Sequence, residues 1–281
     1  GTTAIYQALK SQAAIFMPEL KEPRFFALEG RDISPDDPVN RHAITRWEDY
    51  CTLFSEAEEG QIVGEASPSY FTSDQAPERI KYYLGDIKLI LIVRDPIERA
   101  YSHFLFAQHK GYEPMDFSFA DALAGRARKT QNGFDRRANY LQGSRYGYAL
   151  KNYLEHHKRS NLLILDYAEF KRDNTSTFDQ IARFLGIPSF EFDFQSYRPA
   201  RSGRPKSRLL NRVSTQMRLP RPIGRLISGK LKSKIKRNIN RYNLEREVLS
   251  SEIRKELIAE IRPDIQAFIR LSGLQLDHWL E

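Results

Sequence analysis

The stretch from Ile87 to Gln108, IKLILIVRDPIERAYSHFLFAQ, constrains the fold of this chain more than any other. Ile87, Leu89, Ile90, Leu91, Ile92 and Val93 form an apolar run broken only by Lys88, the pattern of a strand buried on both faces of a parallel sheet. Arg94 ends the run and Asp95-Pro96-Ile97-Glu98 starts a helix. Asp95 caps it, Pro96 suits the first helical position, and Glu98 stands three residues after the cap as in a capping box. Strand, guanidinium and helix N-terminus thus meet where open α/β sheets bind ligands, at the carboxyl ends of strands. Positions 95, 98/99 and 102 share one helical stripe, which puts the Ser102 hydroxyl on the side that Arg94 reaches. A bidentate guanidinium with a hydroxyl suits a phosphate. The same residues also fit an ion pair between Arg94 and a neighbouring carboxylate, with Ser102 an ordinary helix residue.

At 281 residues the chain can bury a sizeable core, as one large α/β domain or one domain with an appendage. No apolar run approaches the ~20 residues that span a bilayer. The one cysteine, Cys51, excludes an internal disulfide framework and Cys-based zinc sites, and fits a reducing compartment. A formal charge of +8 favours an anionic partner: nucleic acid, anionic glycan, membrane surface or a polyanionic nucleotide. The chain opens on Gly1 rather than Met, and no strand precedes its first helical pattern. The natural protein is therefore expected to continue upstream with a strand and a loop ending in Lys just before Gly1. The expected location is cytoplasmic, with a Golgi or membrane anchor left open in that upstream part.

Gly1-Thr2-Thr3 opens an amphipathic helix, Ala4 to Ser11, and a Gly followed by hydroxyls at a helix start is an anion cradle as well as an ordinary cap. A full Walker A loop is absent. Ile15 to Pro18 predicts a short edge strand. After it, Lys21, Glu22 and Arg24 set a carboxylate between two cations beside Phe25 and Phe26. Such a carboxylate is ionised and can accept a proton from a substrate hydroxyl in a cleft; the trio fits a surface ion pair equally well. Residues 29–60 are polar loop and helix. Gln61 to Pro68 predicts a second buried strand, Ser73-Asp74 a cap for a helix from Gln75 to Leu84, and the three elements up to Val93 a βαβ unit.

Further along, a short helix is predicted near 119–124, followed by a basic run of Arg126, Arg128, Lys129, Arg136 and Arg137. Tyr140 to His157 has helical spacing, Asn161 to Leu165 predicts a third buried strand, and Asp173-Asn174-Thr175 caps a helix ending at Gly186. Strands alternating with helices argue for a parallel doubly wound sheet. Beyond Pro188 come a Gly/Pro-punctuated basic loop, Arg198 to Arg208, and a segment, 212–246, rich in Lys and Arg. That segment fits a solvated arm or a contact with an anionic glycan, a membrane or nucleic acid. The last helix is predicted from Ser250 to Trp279.

Taken in order, these pieces resemble the sulfotransferases that use PAPS (3′-phosphoadenosine 5′-phosphosulfate), above all the bacterial members and the heparan sulfate branch. The residues that carry the likeness are GTT at 1–3, KEPRFF at 21–26, GEASPSYF at 64–71, RDPIERAYSHF at 94–104, SRY at 144–146, and PDI and LSGLQLDHW at 263–265 and 271–279. They run through nearly the whole chain. The resemblance implies a P-loop-NTPase-like parallel sheet flanked by helices, with a mostly helical basic C-terminal region. It implies one domain over 1–281, with a nucleotide-binding core at 1–190 and a C-terminal part, 191–281, that completes the donor site.

The resemblance also implies roles. Gly1, Thr2 and Thr3 end the loop that holds the 5′-phosphosulfate; Arg94 and Ser102 clamp the 3′-phosphate; Ser144 and Tyr146 approach the nucleotide; and Ser202 to Arg208, with Arg204 and Lys206, form a lid. Glu22 aligns with the base of the heparan sulfate branch, and none of the six His residues matches the base of the small-molecule branch. Lys21 and Arg24 orient the acceptor or stabilise the transferring group, and Glu65 supports the site. Where the heparan sulfate branch often carries a Lys, this chain has Ala66. PAPS and its product PAP are the implied ligands, with an acceptor hydroxyl or amine, a glycan among the candidates, and no metal and no specific nucleic acid. Two other classes remain open: a P-loop phosphotransferase, which would need a Walker A loop and a Mg²⁺-holding carboxylate, and a non-catalytic binder of anionic glycans.

Overall fold

The computed structural model describes residues 1–37, 39–123, 139–193, 203–207, 210–211, 243–245 and 248–281. The basic run at 126–137, the ends of the lid at Ser202 and Arg208, and all but 243–245 of the basic segment lie outside the described residues. The chain forms two compact units. Unit one takes Gly1–Arg94, Arg145–Pro199 and Pro263–Asp277; unit two takes Asp95–Ser144, Ala200–Arg262 and His278–Glu281. The units interleave along the chain.

In unit one, α1 (Thr2–Lys10) sets Ala4, Ile5, Ala8 and Leu9 on one face, and all four are buried. They share a core with Ile15, Met17, Leu165, Phe170, Phe178 and Ile181. β1 (Ile15–Phe16) pairs in parallel with β2 (Ile62–Val63), and β3 (Leu89–Val93) pairs in parallel with β4 (Leu162–Asp166), Leu89 facing Leu162 and Val93 facing Asp166. The α/β class expected from alternating strands and helices is therefore present. Three expectations need correction. β2 is not buried, since Val63 is 48% exposed. β2 also pairs with β1 rather than β3, because the amides of Ile62 and Gly64 donate to Ala14 and Phe16. β3 itself is half-buried except at Val93, covered by the core on the side of Ile90 and Ile92.

Helices α2 (Phe25–Leu28), α3 (Trp47–Thr52) and α4 (Ala76–Leu84) complete the first part of this unit. The cap of α4 is Gln75, not Ser73-Asp74; the Asp74 carbonyl instead accepts from the Asn152 amide at 2.9 Å. The stretch 140–157 is two helices, α7 (Asn139–Gln142) and α8 (Tyr146–His156), rather than one. α9 (Tyr167–Arg172) and α10 (Asn174–Leu185) follow β4, and Asp173 caps α10 through the Ser176 amide at 2.9 Å, as expected.

The final long helix, α11, runs Ser251–Ser272 with Pro263 in its interior. Trp279 falls in a separate 3₁₀ turn, Asp277–Leu280, beyond the end of the predicted helix. Asp264 accepts from the amides of Gly147 and Tyr148 at 3.0 and 2.9 Å, capping α8 from far along the chain. The approach leaves no room for a side chain at 147: a Cβ there would lie 2.3 Å from the Asp264 carbonyl oxygen. Gly147→Ala is expected to destabilise the protein by about 1–3 kcal/mol, as overpacking does. A urea midpoint equal to wild type would contradict this.

Unit two contains α5 (Pro96–Lys110), α6 (Phe119–Leu123), α7, and the antiparallel pair β5 (Arg204–Pro205) and β6 (Leu244–Glu245). Asp95 caps α5 as predicted, accepting from the amides of Ile97 and Glu98 at 2.9 and 2.8 Å. Its second oxygen accepts from Arg254 at 2.7 Å.

Candidate active site

Parallel pairing decides which loops meet. β1 and β2 run side by side, so the segments leaving their carboxyl ends, 17–24 and 64–67, emerge together. Met17 is buried there, and Tyr6 on α1 donates its hydroxyl to the Pro18 carbonyl, fixing the path toward Lys21. The same logic places Arg94 at the end of β3 and Tyr167 after β4. Gly1 lies against both: a Cβ on it would sit 2.5 Å from Ile92 Cδ1 and 3.2 Å from Tyr167 Cδ2. The N-terminus of α1 is thus set at the carboxyl ends of β3 and β4.

Charge accumulates at that point. The charges of Arg94 and Lys21 both reach Gly1. Two side-chain cations and the positive end of a nine-residue helix therefore bear on one position. No side chain caps α1 among the described residues. An anion is the ligand such a place stabilises.

Glu22 stands beside it. Lys21 Nζ donates to its Oε1 at 2.7 Å and Arg24 Nη2 to its Oε2 at 2.9 Å. Burial by itself raises the carboxyl pKa, but the two hydrogen bonds and charges outweigh it, and the net direction is down. The group is a carboxylate at neutral pH. Arg24 is held further: its Nη1 also donates to the Val39 carbonyl at 2.7 Å and to Asn40 Oδ1 at 2.9 Å. Glu22 and Arg24 both have positive φ, 64° and 60°, a conformation that costs non-glycine residues about 1–3 kcal/mol each and persists only where the surroundings impose it.

Glu65 follows β2. Its carboxyl pKa is raised to about 7, by burial first; hydrogen bonding from Tyr70 and Ser67 and the charge of Lys21 pull the other way, and Glu22 adds to the rise. A carboxyl whose folded pKa exceeds its unfolded value stabilises the protein at low pH and loses that stability as pH climbs through about 7. Glu65→Gln is therefore expected to raise stability at pH 8 by roughly 2–3 kcal/mol relative to wild type, and to do little at pH 4.5. Urea unfolding at the two pH values checks it; an equal effect at both would refute the raised pKa.

Unit one thus brings together Gly1, Thr2, Thr3, Lys21, Glu22, Arg24, Glu65 and Arg94 among the residues named from the sequence. Tyr146 is also in unit one, buried with its ring 5.6 Å from Phe71 and 5.5 Å from Phe268. Ser102, Ser144, Arg204 and Lys206 belong to unit two. There the Ser144 hydroxyl is held between the Arg99 guanidinium and the Tyr140 carbonyl, both at 3.2 Å. Arg204 pairs by backbone with Glu245, and Lys206 Nζ lies 3.7 Å from the Glu245 carboxylate. Ser67 escaped notice in the sequence; its place in a Ser-Pro step after an acidic residue was the available signal. Among the described residues, no group of three His, Cys, Asp or Glu side chains is arranged to hold a metal, and no helix is long and apolar enough to cross a membrane.

A parallel α/β unit with a helix N-terminus, two cations and an ion-clamped carboxylate at its strand ends has the chemistry that suits an anion and a proton acceptor. Residues 2–202 match the sulfotransferase domain family, and the chain belongs to that family. The solved structure of a sulfotransferase from Alicyclobacillus acidocaldarius matches all of this chain and 94% of its own, with a TM-score of 0.71 at 20% identity, which shows the fold. The bifunctional heparan sulfate N-deacetylase/N-sulfotransferase 1 of Caenorhabditis briggsae is 25% identical over 234 residues, 79% of this chain and 24% of that protein. The heparan sulfate glucosamine 3-O-sulfotransferase 3A1 of Mus musculus is 30% identical over 156 residues, 56% of this chain and 39% of that protein. The chain thus spans well under half the length of these curated relatives.

Proposed function

We propose that the protein transfers a sulfuryl group from PAPS to a hydroxyl or amine of a carbohydrate acceptor, with Glu22 as the base. The observation that carries this reading is the double engagement of Lys21, which binds Glu22 at 2.7 Å and whose charge also bears on Gly1. Base and anion locus are thereby neighbours. Family membership supports sulfuryl transfer, and the two heparan sulfate relatives favour a sugar as acceptor.

The donor fits the residues present. Gly1 is closed to any side chain on the Ile92 side, so no side chain at position 1 covers the start of α1. The first amides of α1 and the Lys21 ammonium hold the sulfated end, and Arg94 holds a phosphate. PAPS, when bound, supplies the sulfuryl group and the leaving phosphate. Glu22 orients the acceptor O–H or N–H and takes its proton. Each carboxylate oxygen accepts more than one hydrogen bond, so Lys21 and Arg24 do not exhaust it. With its pKa held down, Glu22 takes the proton late, once bond formation has made the acceptor acidic. Lys21 then shields the growing charge. Ser102, Ser144, Arg204 and Lys206 carry no step in this scheme.

The phosphotransferase alternative loses its ground to the family match, and Asp166, the carboxylate that ends β4, caps α9 through the Ala168 amide at 3.1 Å. The test supplies the intact protein with PAPS carrying labelled sulfate and a panel of oligosaccharides, phenols and peptides. Label in the oligosaccharide fraction is expected. No transfer to any acceptor, together with no calorimetric signal for PAP, would remove the assignment.

A further inference from the structure

Glu65 is the ionisable group of this site that the proposed transfer leaves unused. Its Oε2 accepts from Ser67 Oγ at 2.9 Å, and Ser67 Oγ in turn accepts from the backbone N–H of Arg24 at 3.2 Å. A hydroxyl has one proton, so by donating to Glu65 it is turned to present a lone pair to Arg24. Arg24 is one of the two non-glycine residues with positive φ among those described, and the other is Glu22 itself. Left alone, such a backbone relaxes; something must impose it. The guanidinium of Arg24 is tied to Val39, Asn40 and Glu22, but its backbone amide is tied to Ser67.

We propose that Glu65 is a positioning residue for the Glu22 carboxylate, acting through Ser67 on the left-handed backbone of Arg24; the inference rests on Glu22 being the base. Every element around Glu65 adds a constraint. Lys21 and Glu22 face it from the loop after β1, Tyr50 from α3, Tyr70 from the 3₁₀ turn Pro68–Tyr70, and Tyr153 from α8. The hydroxyl of Tyr70 and Oε1 of Glu65 are both buried, and Tyr70 bears on the Glu65 carboxyl. The attachment of Glu65 to Ser67, at 2.9 Å, is the one that leads to the base. Lys21 is shared between the two carboxylates, so the position of one is felt by the other.

Three variants test this: Ser67→Ala, Glu65→Leu and Glu65→Gln, each taken through crystallography, turnover and PAP calorimetry. In the first two, Arg24 is expected to leave its φ near 60° and the Lys21–Glu22–Arg24 contacts to open. Turnover should fall at least tenfold, with PAP affinity within about twofold of wild type. Glu65→Gln still accepts from Ser67 and should keep the loop as it is. Should Glu65→Leu fail to fold, Ser67→Ala carries the test alone. Arg24 unmoved with the Glu22 contacts intact in Ser67→Ala overturns the proposal. So does a loss of PAP affinity that matches the loss of turnover. The backbone readout needs no catalysis: a wild-type protein that transfers no sulfate overturns the base assignment, while the movement of Arg24 still decides the positioning role.

Discussion

Glu22→Gln is expected to lower turnover about 10²- to 10⁴-fold, the range a positioned general base contributes, while PAP affinity stays within about twofold. The substitution keeps the size and one acceptor oxygen, enough for one of the two donors Lys21 and Arg24, and removes the carboxylate that takes the proton. Arg24 is anchored beyond Glu22, to Val39 and Asn40. The loop therefore holds, and loss falls on turnover. A Gln variant within threefold of wild-type turnover would move the base to another residue. The profile against pH gives a second check. Because Glu22 is held below the ordinary glutamate value, its contribution to kcat/KM should persist through the ordinary glutamate range and fail only at still lower pH.

Arg94→Ala is expected to weaken PAP by about 2–3 kcal/mol, roughly 30- to 150-fold, because it deletes a charge-assisted contact to phosphate. Arg94 follows β3 directly and is partly buried, so salt screens it less than a surface charge. Arg94→Lys should recover only part of the loss, since an ammonium lacks the planar fork. Calorimetry with PAP reads both variants. An unchanged dissociation constant for the Ala variant would remove Arg94 from the donor site.

The parts of the fold that were legible carry their information locally. The Ile/Leu/Val run, the Arg94 break and the Asp95-Pro96 start gave the position of β3, though not its burial, and the cap of α5, because each depends on neighbours a few residues away. Asp173 and α10 are of the same kind. β2 was misplaced because a two-residue strand has no pattern to state its partner, and its amides answer to Ala14 and Phe16 far upstream. The break between α7 and α8 was hidden for a similar reason: the acceptor that starts α8 is Asp264. At the site, Glu22 between two cations was visible, but its positive φ was not, since glutamate and arginine give no hint of a left-handed backbone. The raised pKa of Glu65 comes from burial under tyrosines of three separate elements, which no spacing records.

The grip of Asp264 on Gly147 and Tyr148 also sets a timetable for synthesis. Two amides at the head of α8 have no acceptor, and Phe268 is not yet there to meet Tyr146, until the ribosome has passed residue 264. Growing chains therefore carry an open seam in unit one until that residue has emerged. Nascent chains stalled short of that residue should be cut by protease between α7 and α8, and chains stalled well beyond it should resist.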